Sequence, residues 1–261
     1  MVKTQGAPFP ASIWAETSGY RRCALDGPPA GVSASGMLRL ELPAGGGTTV
    51  RLTKLGHACV RLEKDGVSLV IDPGVWSGPS ALTGATALLV THEHPDHLDA
   101  DAVRAALAAD PGLQLWTNAS VAAQLADLEG RVHVVSHGDA FTAAGFDIHV
   151  YGQEHALIHR DIPVVRNTGF AVDGEVFHPG DALTVPEDRI PTLLLPANAP
   201  WLKAGEMIDY AREVAPRRAY AIHDGLLNAN GLGLMQNLMN AAAAPSGAEY
   251  VRLQPGTSVE L

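Results

Sequence analysis

Residues 91–98 read Thr-His-Glu-His-Pro-Asp-His-Leu, and within them His92, His94, Asp96 and His97 form the pattern H-x-H-x-D-H. Imidazole and carboxylate are the side chains that hold zinc and its first-row neighbours. Residues i and i+2 of an extended segment project to the same side, and Pro95 biases His94 away from helical geometry. His92 and His94 can therefore reach one ion together, while Asp96 and His97 lie past the bend and can reach a second. The plainer reading is a polar loop whose histidines only hydrogen-bond. Four ligand-type side chains within six positions favour the metal.

Composition sets the broad limits around this stretch. At 261 residues the chain is long enough for one large domain or two small ones, with a substantial core. Hydrophobic residues make up 46% and charged residues 18%, the balance of a soluble globular protein. No apolar run approaches the ~20 residues that span a bilayer. Met1 to Tyr20 lack the basic start and apolar core of a secretory signal, so the expected location is cytoplasmic. A formal net charge of −10 argues against long nucleic acid or an anionic membrane as a partner. Two cysteines, Cys23 and Cys59, make no disulfide framework, and Cys59 reads as a small core residue.

Residues 1–46 read as an N-terminal extension with partial order. Pro8, Pro10, Pro28, Pro29 and Pro43 break any periodicity there, and Leu38–Leu42 is at most an edge strand. Residues 47–261 read as a single domain. Strands are expected from Val50, over Cys59–Leu62 and Val67–Ile71, with Asp65-Gly66 as a hairpin turn. Thr86–Val90 is a short strand that delivers His92. Asp99 can cap a helix over Ala100–Ala109, stopped by Asp110-Pro111-Gly112. The expected order continues as strand Leu113–Thr117, helix Ala119–Leu128, and strands Val132–Val135, Phe146–Tyr151, Gly169–Val172, Val176-Phe177 and Thr192–Leu195. Helix Lys203–Val214, strand Arg218–Ile222, a helix near Leu232–Ala242 and a last strand Glu249–Leu253 complete it. Two facing sheets with outer helices fit this α/β order, as does another layering.

The run Leu88–Leu98 resembles the signature of the metallo-β-lactamase superfamily, and the likeness extends over roughly residues 48–255. It implies an αββα sandwich of two mixed sheets, with one or two metals in a cleft at the sheet edges. The flavodiiron branch carries Glu where this chain has His94, so the hydrolytic branches are the better match. Gly56-His57-Ala58, Ile71-Asp72-Pro73-Gly74 and His178-Pro179-Gly180-Asp181 look like the small stand-alone hydrolases related to ascorbate-6-phosphate lactonase. The resemblance also implies a third His for the first ion, a bridging Asp, and a last His for the second. His155 holds the third-ligand place, with His159 as its competitor. Asp181 matches the bridging carboxylate, although Ala182 follows where the family often has a small hydroxyl residue. His223 matches the final ligand.

The implied site is therefore His92, His94 and His155 on one ion, Asp96, His97 and His223 on the other, and Asp181 between, with Asp96 and Asp181 as the catalytic carboxylates. The cofactor expected is two divalent ions, zinc first and manganese or iron as alternatives. Such a pair activates a water and polarises the scissile bond of a small ester, lactone or phosphodiester. Asn198 and Trp201 follow a strand pointing at the same rim and are candidates for substrate contact, with Trp76 a weaker one. His57 and Asp72 read as supports near the cleft floor, and His178 as a strand-end support. His133, His137 and His149 read as ordinary surface or core residues. One rival is a phosphodiesterase or nuclease of the same fold, for which Arg160, Arg166 and Lys203 are the cations available. The other is a metal-binding protein without turnover. The expected partner is a small-molecule substrate, with neither nucleic acid nor membrane, and with a homo-oligomer left open.

Overall fold

The computed structural model describes residues 49–128 and 130–261. The expected extension over 1–46, its edge strand and Cys23 lie outside the described residues.

The chain builds two seven-stranded sheets. In the first, β1 (Arg51–Gly56), β2 (Cys59–Lys64) and β3 (Val67–Ile71) run antiparallel, and β4 (Ala87–Val90), β5 (Gln114–Thr117) and β6 (Val132–Val134) continue parallel from β3. Helix α1 (Ala100–Ala109) joins β4 to β5, and α2 (Ala119–Gln124) joins β5 to β6. In the second, β7 (Ala140–Ala143), β8 (Phe146–Tyr151), β9 (Gly169–Val172) and β10 (Val176–His178) are antiparallel. There β11 (Thr192–Pro196), β12 (Arg218–Ile222) and β13 (Glu249–Val251) extend parallel from β10. Helix α3 (Ala204–Val214) lies between β11 and β12, and α4 (Ala229–Ala243) between β12 and β13. The chain then returns to the first sheet, where β14 (Ser258–Glu260) pairs with β1.

Side chains alternate across each strand, and here both faces are buried. Leu69, Ile71 and Leu89 pack between the sheets against Phe146, Ile148, Phe170 and Leu194. Their neighbours Val70, Leu88 and Val90 face outward against Val103 and Leu107 of α1. Leu193, Leu195, Ala219 and Ala221 face outward against Met207 and Tyr210 of α3 and Met235 and Met239 of α4. That is why β3, β4 and β11 read as continuous apolar runs rather than alternating ones. The result is the αββα sandwich.

Several boundaries differ from expectation. Helix α2 stops at Gln124 because Leu125, fully buried, turns its N–H to the carbonyls of both Val121 and Ala122, and a 3-10 turn follows at Ala126–Leu128. Helix α4 begins at Ala229, where the Asn228 side chain accepts from the Gly231 N–H. Strand β13 ends at Val251, since Arg252 swings toward Asp224. Strands β7 and β14 were not anticipated, and β14 displaces Glu249–Val251 as the last strand. No helix among the described residues is long and apolar enough to cross a membrane.

Candidate metal centre

The ligand-type side chains gather where strands of both sheets end. His92 to His97 follow β4, Asp72 follows β3, His155 follows β8, Asp181 follows β10 and His223 follows β12. Two groups form: His92, His94, His155 and Asp181, and His57, Asp96, His97 and His223. Within each group the potential ligand atoms lie within 4.8 Å of one another. Asp181 links the two, with Oδ1 3.1 Å from His97 Nε2 and Oδ2 3.3 Å from His155 Nε2 and 3.0 Å from His223 Nε2. A carboxylate with two oxygens can serve two neighbours in this way. His94 and Asp96 are partly exposed, so each group opens to the surface.

Loop geometry fixes the approach. Gly74 packs so closely on the Asp96–His97 backbone that any Cβ there would overlap it. Asp72 and His223 both adopt left-handed φ angles, 54° and 59°, a conformation that non-glycine residues keep only when their surroundings demand it. The His223 N–H is tied to the His57 carbonyl at 3.1 Å. Asn167, which no motif announced, holds the Gly180-Asp181 turn by donating to the Pro179 carbonyl (2.8 Å) and accepting from the Asp181 N–H (3.0 Å).

Hydrogen bonds decide which imidazole nitrogens are free. His97 Nδ1 donates to Asp72 (2.6 Å), His155 Nδ1 to the Ala156 carbonyl (2.6 Å) and His223 Nδ1 to the Asn198 carbonyl (2.7 Å). The Thr91 hydroxyl donates to Asp72, so it accepts from His92 Nδ1 at 3.0 Å. In all four rings the Nε2 lone pair is left facing the centre, the arrangement in which histidine binds metal. The Nε2 atoms of His97, His155 and His223 and Oδ1 of Asp181 are buried without a hydrogen-bond partner among the described residues. They stand close but misaligned, as atoms aimed at a common centre rather than at one another. His92 Nε2 and His94 Nδ1 face each other at 3.1 Å. The residues present fit a divalent ion in each group.

His57 and His178 have the opposite tautomer. His57 Nδ1 accepts from the Gly225 N–H (3.2 Å), so its Nε2–H donates to Asp96 Oδ2 (3.1 Å). His178 Nδ1 accepts from Gly180, and Nε2–H donates to the Ala58 carbonyl. Neither has a lone pair to offer.

The charge states agree. Burial, with the neighbouring His97, pushes His92 well below its ordinary value, and burial, with His155, lowers His94. Burial alone would raise Asp181, but the His97 charge and the close approach of His155 and His223 outweigh it and hold the carboxyl well below the usual range. Asp96 is likewise held down against its burial by His223 and His57. Burial opposes a charge on His223, yet the adjacent Asp181 and Asp96 carboxylates raise it to about 9. His97 is raised against burial by the Asp181 and Asp72 carboxylates.

Of the remaining expectations, His155 joins the first group while His159 is exposed beside Asp161. Trp201 Nε1 donates to Asp181 Oδ2 at 3.0 Å. Asn198 takes part through its backbone carbonyl. Trp76 stands edge-on to His57, its ring centroid 4.8 Å away. His133 stacks on Trp116.

An αββα sandwich with imidazoles and carboxylates gathered at one edge defines a metallo-hydrolase type of fold. The family described as the β-lactamase superfamily domain matches residues 51–223. Protein Rv0786c of Mycobacterium tuberculosis is 38% identical over 191 residues, 71% of this chain and 89% of its own length. The UPF0173 metal-dependent hydrolase of Methanopyrus kandleri is 33% identical over 144 residues, 51% of this chain and 62% of that protein. Igni18, a metallo hydrolase from Ignicoccus hospitalis, superposes with a TM-score of 0.64 at 20% identity, covering 82% of this chain and 99% of its own. The chain belongs to the metallo-β-lactamase superfamily, as one of its metal-dependent hydrolases.

Proposed function

We propose that the chain hydrolyses a small ester, lactone or phosphodiester with two divalent ions, zinc or a first-row neighbour, in this centre. His92, His94 and His155 would hold one ion, Asp96, His97 and His223 the other, and Asp181 both. The observation that carries the reading is the set of unpaired buried ligand atoms converging around Asp181 from both sheets. Bound there, the ions supply Lewis acidity and an activated water near neutral pH. The chain's own residues do the rest. Trp201 donates to the Asp181 carboxylate and so orients it, while Asn167 holds the Asp181 backbone. Asp96, ionised and steered by His57, accepts the proton of the attacking water. The partly exposed flank of His94 and Asp96 is the way in for substrate, which favours turnover over a closed structural site.

The nuclease alternative finds less support. Lys203 is paired with Glu206 (3.0 Å) and Arg160 with Asp161 (3.7 Å), which leaves Arg166 as a single cation rather than a basic track. A small-molecule substrate and a cytoplasmic setting remain part of the reading.

Elemental analysis, combined with turnover of generic lactone, ester and phosphodiester probes, tests it on the protein and on Asp181→Ala and His94→Ala. About two ions per chain, with activity abolished in both variants, is the expected outcome. Absence of metal even after reconstitution would sink the reading.

A further inference from the structure

A cavity of about 190 Å³ opens where β5, β6 and β8 end and β9 begins. Its polar walls are Asn118, Ser136, His137, Gln153, Arg166 and Thr168. It is joined to the first metal group by backbone contacts. The His155 N–H bonds to the Val165 carbonyl (3.0 Å), the Asn167 N–H to the Gln153 carbonyl (3.2 Å), and Glu154 bridges to Arg166. On the other side, the Thr168 N–H and the Asn118 amide both donate to the Thr91 carbonyl at 2.9 Å, next to His92.

Each of the unspent polar groups of this cavity can donate. Arg166 makes no ion pair or hydrogen bond through its guanidinium among the described residues, although Glu154 lies opposite it across the bridge. The Arg166 side chain is exposed, so it is free to meet a ligand that enters the cavity. His137 Nδ1 accepts from the Gly152 N–H at 3.3 Å, so the neutral ring presents Nε2–H. The side-chain amide of Gln153 and the hydroxyl of Thr168 are not engaged by any described residue. Ser136 is already committed to Asp139. A planar guanidinium flanked by N–H and O–H donors is the surrounding that binds an oxyanion in two-point fashion.

We propose that this cavity seats an oxyanionic group, phosphate or carboxylate, of the substrate whose scissile bond lies over the neighbouring centre; the assignment of that bond rests on the hydrolase reading. Arg166 then sets substrate choice and acts through binding rather than chemistry.

The test uses the metal-loaded protein and the variants Arg166→Ala and Arg166→Lys. Calorimetry measures binding of glutarate and of 4-phosphonobutyrate. In parallel, KM and kcat are measured for the 4-nitrophenyl esters of both acids and for neutral 4-nitrophenyl butyrate. Loss of the guanidinium is expected to weaken anion binding, and to raise KM for the charged esters, by about tenfold or more, with kcat, metal content and the neutral ester unchanged. The lysine variant, keeping charge without the fork, should recover part of the loss. Tighter binding of the phosphonate than of the carboxylate identifies a phosphate-bearing substrate, and the reverse order a carboxylate. Anion binding that is undetectable in the natural protein, or equal in Arg166→Ala, overturns the proposal. If no ester is turned over, the lactone and phosphodiester probes go on to test the hydrolase reading, and anion binding by itself still decides the cavity.

Discussion

At the scale of the residue, six histidines crowd the centre through their rings, and position alone does not separate ligands from supports. His57 lies as near to Asp96 and His223 as a ligand would, its ring centroid 4.1 Å from that of His223. The partner of the far nitrogen makes the distinction. Where Nδ1 donates to a carboxylate or carbonyl, Nε2 can bind a cation; where Nδ1 accepts a backbone N–H, Nε2 carries a proton. His57 is of the second kind and is a positioning residue for Asp96. His57→Ala is therefore expected to keep the full metal content under saturating metal while turnover falls roughly 10- to 100-fold. Elemental analysis beside kinetics checks this. Loss of an ion in that variant would make His57 a ligand and reverse its tautomer.

At the scale of the element, the two sheets are joined beside the centre by a buried ion cluster. Lys54 of β1, 1% exposed, places Nζ 2.5 Å from Asp224 Oδ1 and 2.8 Å from the Ala221 carbonyl, while Arg252 Nε reaches Asp224 Oδ2 at 2.5 Å. Burial lowers the Lys54 pKa, and the Asp224 charge partly restores it. Asp224 thus neutralises two cations at once, one from each sheet. Asp224→Ala leaves Lys54 buried without a counter-charge and should cost about 3–5 kcal/mol. Lys54→Met keeps volume and the Arg252 pair, and should cost about 1.5 kcal/mol or less. Urea unfolding measures both; equal losses would show that the cluster does not act through charge. None of this was legible in the chain, because Lys54 occupies an inward position between Leu52 and Gly56 that composition would assign to solvent. The long apolar strands β3, β4, β8 and β12 were legible, as was α1 with its Asp99 cap, since local pattern and tertiary burial agree there. Strands β7 and β14 were not: Ala140-Phe141-Thr142-Ala143 and Ser258-Val259-Glu260 become strands only by pairing with β8 and β1. The motif His92–His97 stood out in the sequence by its density of ligand-type side chains, and the fold brings them together. Asn167, by contrast, is one amide in a loop, and only the fold brings it to Asp181.

At the scale of the whole molecule, the proposed ions would cross-link the two sheets as well as serve the reaction. His92, His94, Asp96 and His97 come from the first sheet, and His155, Asp181 and His223 from the second. Ions held between them would tie the sheets together in the folded chain and have no preformed site in the unfolded one, so their binding free energy would become folding free energy. At a thousandfold excess over Kd each ion adds about 4 kcal/mol. For a protein of this size that corresponds to a rise in Tm of roughly 8–16 °C per ion. Without ions the buried Asp181 and the partly exposed Asp96 have only His97 and His223, both raised by these carboxylates, for compensation, a weaker arrangement. Treatment with a chelator is expected to lower Tm, and restoring metal to recover it in proportion to the logarithm of free metal concentration. Asp181→Ala, which removes the carboxylate shared by both groups, should flatten that dependence. Differential scanning calorimetry across a metal series measures both effects. A Tm indifferent to metal in the natural protein would mean that these seven side chains do not bind ions in the folded state.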